Sequence, residues 1–157
     1  MPRQADASGH NPLMQIEVVA TVSPELVEAM ASLLPQLSSI SPPSAAELAA
    51  IVDSPATSFL IARDGDSVLG TLTLAVFRIP TGVRAWIEDV VVDESARGRG
   101  IGEALTMRAV EIARDAGARS VELTSRPTRE AANRLYRRLG FEERETNVLR
   151  LTLEPVA

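Results

Sequence analysis

Cysteine and lysine are both absent from this 157-residue sequence. Without cysteine there is no disulfide, no thiolate zinc site and no cysteine nucleophile. Without lysine there is no Schiff-base amine and no P-loop lysine, since all 16 basic residues are arginine. Histidine occurs once, at His10, among Pro2, Ser8, Gly9, Asn11 and Pro12. Residues 1–13 have no periodicity and read as a disordered lead-in. A lone histidine there argues against a histidine base or a His-rich metal site, so no metal is expected. No window approaches the roughly 18 uninterrupted apolar residues of a membrane helix, and the start lacks the apolar core of a secretory signal. A cytoplasmic location is the expectation, with no membrane partner.

What remains is an ordinary globular balance, 45% hydrophobic and 24% charged. Length and balance predict one domain over residues 14–157. The net charge of −5 is unevenly spread. Residues 1–92 hold ten acids and four bases, whereas residues 93–140 hold seven acids and ten bases. A basic central block suits an anionic ligand and acidic flanks suit a cationic one; solvated surface charge would look the same. The overall acidity argues against nucleic acid as a partner.

The spacing of apolar residues and breakers predicts strands at 14–20, 57–63, 67–77, 84–92, 120–124, 141–144 and 148–153. Helices are predicted from Ser23-Pro24 to about residue 34 and from a Ser44/Glu47 capping box to about residue 52. A third follows the glycines at 98–102 and closes at Gly117, and a fourth spans 129–139. The order is β-α-α-β-β-β-α-β-α-β-β. It describes an α/β (α+β) fold with a mixed, mostly antiparallel central sheet flanked by helices. The helical crossover makes 84–92 and 120–124 parallel, and ligands favour the gap where such strand ends diverge.

That gap lies beside Val90-Val91-Val92-Asp93-Glu94-Ser95-Ala96-Arg97-Gly98-Arg99-Gly100-Ile101-Gly102. An apolar strand runs through a turn into a helix N-terminus, where backbone N–H groups can hold an anion. Gly98, Gly100 and Gly102 let a phosphate approach the backbone, and Arg97 and Arg99 add positive charge. A dinucleotide fingerprint needs a small residue at the sixth position. Glu103 stands there counting from Gly98 and Leu105 counting from Gly100. A P-loop would need the missing lysine. A third reading is coenzyme A, its pyrophosphate on the amides of the glycine turn and its pantetheine arm along the edge of strand 84–92.

Arg97-x-x-Gly100-x-Gly102, after the Val-Val-Val-Asp strand end, resembles the R/Q-x-x-G-x-G/A signature of the GNAT N-acetyltransferase superfamily. Leu135-Tyr136-x-x-Leu139-Gly140-Phe141 resembles that family's second signature, L-Y-x-x-x-G-F. The resemblance covers residues 14–153. It implies acetyl-CoA as donor and a primary amine as acceptor. It also implies that backbone groups of Val90 and Val92 hold the thioester and pantetheine, and that amides from Arg97 to Gly102 hold the pyrophosphate. Many members carry an asparagine seven residues before the tyrosine; here that position is Arg129. Asn133 lies on the same helix face as Tyr136 and is expected to take over part of that contact.

Amide formation requires stabilisation of the acetyl oxygen, loss of a proton from the amine and help for the leaving thiolate. A backbone N–H near Val90 answers the first need. Tyr136, the sole tyrosine, answers the third as a general acid; as a core aromatic it would pack on Phe141. Strict alternation places Trp86, Glu88, Val90 and Val92 on one strand face, and Glu88 there is the candidate base, directly or through a water. Its plainer reading is an ion pair with Arg84. Asp89 would face the other way. The expectation is an N-acetyltransferase acting on a small amine or a peptide N-terminus by direct attack in a ternary complex. The competing readings are a catalytically weak acetyl-CoA-binding module and, further off, a nucleotide-binding protein. Homodimers are common for such folds, though no residue here points to one.

Overall fold

The computed structural model describes residues 14–155; the lead-in expected at 1–13 lies outside them. The chain divides into two compact units, the first ending at Thr124 and the second beginning at Ser125. The first unit holds β1 (Met14–Val18), α1 (Pro24–Leu33), α2 (Ala45–Asp53), β2 (Thr57–Asp64), β3 (Ser67–Ile79), β4 (Gly82–Val92), α3 (Ile101–Asp115) and β5 (Val121–Glu122). Two short 3-10 turns, Leu34–Gln36 and Glu94–Ala96, follow α1 and β4. The five strands lie in sequence order, antiparallel from β1 to β4 and parallel between β4 and β5. Among the described residues, no helix is long and apolar enough to cross a membrane.

Local signals set the helix starts. The Ser23 side chain accepts the Leu26 N–H with Pro24 in the first turn. Ser44 and Glu47 form the reciprocal capping box, which satisfies two end groups at once. Each sheet face is buried by a different helix set. Leu26, Met30 and Leu48 cluster with Phe59 and Ile61 on one face. On the other, Ile101 and Leu105 of α3 come up against Gly70. Leu48, Leu60, Leu72, Leu74 and Leu105 are fully buried, each contributing about 2 kcal/mol or more of apolar burial.

The register departs from strict alternation at one place. Thr73 pairs with Glu88 and Thr71 with Val91. Leu72 therefore opposes both Asp89 and Val90, which is a β-bulge, and Asp89 takes φ 49°. Aspartate tolerates this left-handed conformation better than most residues. The bulge corrects the face assignment. Trp86 and Glu88 share the α1/α2 face, through Ala75 and through Thr73 and Phe59. Beyond the bulge it is Val91, opposite Thr71 and Ile61, that continues this face. Val92, opposite Gly70, belongs to the α3 face.

The parallel pairing is shorter than predicted. It consists of Ala85 with Val121 and Trp86 with Glu122. From Ile87 onward, β4 has no ladder partner on that side among the described residues. The second unit carries α4 (Glu130–Arg138). The strands expected at 141–144 and 148–153 are absent from it. An isolated two-stranded hairpin is marginal in water. The apolar residues of the second expected arm are exposed, Leu149 by 88%.

Candidate active site

The end of β4 and the start of α3 form one continuous stretch of the first unit. It contains Glu88, Val90, Val92, Arg97, Gly98, Arg99, Gly100 and Gly102. Glu88 is exposed, and its Oε1 accepts the Trp86 indole Nε1–H at 2.7 Å. That bond crosses i to i+2 on one strand face and fixes the carboxylate beside the ring. The ion pair considered for Arg84 goes to Glu122 instead, at 3.4 Å. The bulge at Asp89–Val90 breaks the β3 ladder where an extra residue leaves backbone polar groups outside regular pairing.

Gly98 and Gly100 both take positive φ, 79° and 78°, and Gly100 is the N-cap of α3. No side chain caps this end of the helix. A Cβ built on either glycine meets nothing within 4 Å. Backbone conformation therefore demands glycine here, and the space beside it is open. An uncapped 15-residue helix preceded by open space is the environment an anionic group needs. Thr106 fixes the first turn from within, its hydroxyl donating to the Gly102 carbonyl at 2.7 Å.

The two arginines each bond within the first unit. Arg97 Nε donates to the Val92 carbonyl at 3.3 Å, which folds the loop back onto its own strand. Arg99 pairs with Asp64 at 3.0 Å and so ties the glycine turn to the β2–β3 hairpin. Asp93 opens the loop. Hydrogen bonds from Ser95 and Gln36 hold its carboxyl below the ordinary aspartate value.

In the second unit, Tyr136 and Phe141 meet edge to face with ring centroids 5.6 Å apart. Tyr136 thus carries the packing role and still presents a phenol. Burial pushes that hydroxyl above its ordinary value, with Arg129 opposing, so it is protonated across the neutral range. Asn133 spends its Nδ2 on the Arg126 carbonyl at 3.0 Å, closing the turn before α4. Sequence reasoning passed over Gln36 and Gly70, because the signal for each is a partner far along the chain.

A strand whose parallel pairing stops short, leading into a positive-φ glycine turn at an uncapped helix N-terminus, defines a class of anion-holding folds. A model of the acetyltransferase (GNAT) family matches residues 25–141, and the chain belongs to that family. A glucosamine 6-phosphate N-acetyltransferase of Trypanosoma brucei brucei is 36% identical over 121 residues, covering 72% of this chain and 80% of that protein. An uncharacterized N-acetyltransferase of Methanocaldococcus jannaschii is 48% identical over 61 residues. That match covers 39% of this chain and only 27% of the relative. Among solved structures, a Trypanosoma brucei acetyltransferase superposes with a TM-score of 0.73 at 31% identity, covering 89% of this chain and 99% of the other.

Proposed function

We propose that this chain is an N-acetyltransferase that passes the acetyl group of acetyl-CoA directly to a primary amine, on a small molecule or a peptide N-terminus. The observation that carries the reading is the β4 edge. It loses its ladder partner after Trp86, bulges at Asp89–Val90 and runs into the uncapped glycine turn of α3. A long donor with a pyrophosphate at one end and an amide-bearing arm at the other matches that sequence of features.

The donor supplies a thioester whose carbon accepts the amine. Everything else falls to this chain. The amides of residues 97–102 hold the pyrophosphate, and the free edge of β4 from Ile87 to Val92 hydrogen-bonds the arm. An N–H at the bulge near Val90 stabilises the oxygen as it gains charge. Glu88, oriented by Trp86, takes the ammonium proton directly or through a water before the C–N bond forms. As the C–S bond breaks, the proton for the thiolate is assigned to Tyr136 on its place in the second signature, Leu135-Tyr136-x-x-Leu139-Gly140-Phe141; its raised pKa keeps that phenol protonated at neutral pH. The new amide nitrogen sheds its second proton to solvent, from which the phenol is restored, and Glu88 releases the proton it took; the products are an acetylated amine and the free thiol of coenzyme A.

The acidic excess of residues 1–92 leans toward a cationic acceptor. The name of the trypanosomal relative makes an amino-sugar phosphate the first alternative. An amine panel with acetyl-CoA, followed by thiol release, tests the proposal. Turnover of at least one amine is expected, with Tyr136→Phe and Glu88→Gln each lowering kcat by roughly a hundredfold and changing the KM for acetyl-CoA far less. Binding of coenzyme A without turnover of any amine would replace the enzyme with a binding module. Unchanged rates in both variants would remove the assigned roles.

A further inference from the structure

Gln36 stands at the end of the 3-10 turn after α1, 57 residues from Asp93 in the chain. Its amide makes three hydrogen bonds. Nε2 donates to the Ser32 carbonyl of α1 at 3.2 Å and to Asp93 Oδ1 at 2.8 Å. Oε1 accepts the Glu94 N–H at 2.9 Å. Exchanging the amide's oxygen and nitrogen would set acceptor against acceptor twice and donor against donor once, so the network assigns one orientation. Asp93 also accepts from the Ser95 N–H at 3.1 Å and from the Ser95 hydroxyl. The loop between β4 and the glycines is thus gripped at its first two residues by a side chain from another element. Arg97 grips its far end through the Val92 carbonyl.

The geometry points to Gln36 as a positioning residue for the coenzyme A cradle. It seats the turn at residues 93–96 and so sets the distance between the amides that hold a pyrophosphate and the strand edge that holds the thioester arm. The inference rests on the coenzyme A reading above and extends it to a residue on the helical face opposite α3. Its physical content is pre-organisation. With Gln36 in place, the cradle's amides are gathered before the anion arrives; without it, part of the binding energy goes into gathering them. A positioning role has a signature that general loss of stability lacks. It weakens ligands that span both subsites and spares a ligand that occupies only the strand edge.

Calorimetric titration of coenzyme A and of pantetheine into the wild type, Gln36→Met and Gln36→Glu tests this. Methionine keeps the length and removes all three bonds. Glutamate keeps the shape but turns a carboxylate oxygen toward Asp93. The coenzyme A Kd is expected to rise roughly tenfold in Gln36→Met and further in Gln36→Glu, with the pantetheine Kd held within about twofold. An unchanged coenzyme A Kd overturns the inference, and so does equal weakening of both ligands. Hydrogen exchange on the wild type needs no variant. Protection of the Glu94 N–H supports the contact, and exchange at the rate of an exposed loop overturns it. A wild type that binds coenzyme A but acetylates nothing fails as an acetyltransferase, while these titrations still decide the role of Gln36. A wild type that does not bind coenzyme A overturns both.

Discussion

A methyl group at position 70 would stand 2.9 Å from the Val91 carbonyl oxygen, 3.2 Å from Ile101 and 3.3 Å from Leu105. The first contact is backbone just past the bulge, and the others are the first turns of α3. Gly70 thereby lets the bulged strand and the cradle helix close on the same point of β3. It has no chemistry of its own, yet it sets how near the Asp89–Val90 bulge lies to the glycine turn. Gly70→Ala is expected to cost about 1–3 kcal/mol, the usual range for overpacking a tight core, measured by urea unfolding. Because the clash pushes β4 and α3 apart, coenzyme A should also bind several-fold more weakly in the folded variant. A variant as stable as the wild type, with the same coenzyme A affinity, would mean that α3 gives way freely at this point.

Elements whose instructions are local were legible in the sequence. Ser23-Pro24 and the Ser44/Glu47 box start α1 and α2 where predicted, within a residue, and the crossover makes β5 parallel to β4. The glycine turn was legible for the same reason, since positive φ, an uncapped helix end and flanking arginines all lie within a few residues. Features made by distant pairing were not. The bulge exists because Leu72 of β3 opposes two residues of β4, and no period read along β4 alone reveals that. Hence Val90 and Val92 were assigned to the face of Glu88 that Val91 occupies. The two C-terminal strands failed for a related reason: alternation describes which face a strand would bury, but a strand also needs a partner for its backbone. Gln36 was hidden because its partners are Asp93 and Glu94. The capping box offers a direct check at this scale. Ser44→Ala removes the side-chain acceptor for the Glu47 N–H and leaves the backbone N–H of residue 44, which still donates to the Glu47 carboxylate. A loss of about 1 kcal/mol is expected, read from the unfolding midpoint, with coenzyme A affinity unchanged because α2 contributes nothing to the cradle. A loss of affinity at equal stability would put α2 inside the cofactor-binding machinery after all.

At the scale of the whole molecule, the charge distribution and the cradle make separate statements about ligands. The net charge is −5, yet residues 93–140 carry ten bases against seven acids, and several of these bases are already committed. Arg99 is paired with Asp64, Arg108 with Glu111 and Arg137 with Glu143. Positive charge alone therefore does not select the ligand; in the function proposed above, shape along β4 does, with a pyrophosphate on the glycine turn and an extended amide-bearing arm on the open strand edge. Thermal unfolding separates the two contributions. A ligand that binds only the folded chain stabilises it by RT ln(1 + [L]/Kd), about 2.7 kcal/mol at a hundredfold excess over Kd. For a chain of this length that amounts to a rise in Tm of roughly 5–10 °C. Coenzyme A is expected to produce it. ATP and NAD offer phosphates to the same helix end without the arm, and at equal concentration they should move Tm by about a degree or less. Raising ionic strength should erode the ATP and NAD shifts first, because they rest on charge exposed to screening, while the arm's backbone hydrogen bonds persist. Equal shifts from ATP and coenzyme A would mean that the β4 edge contributes nothing, and would return the glycine turn to a general phosphate site.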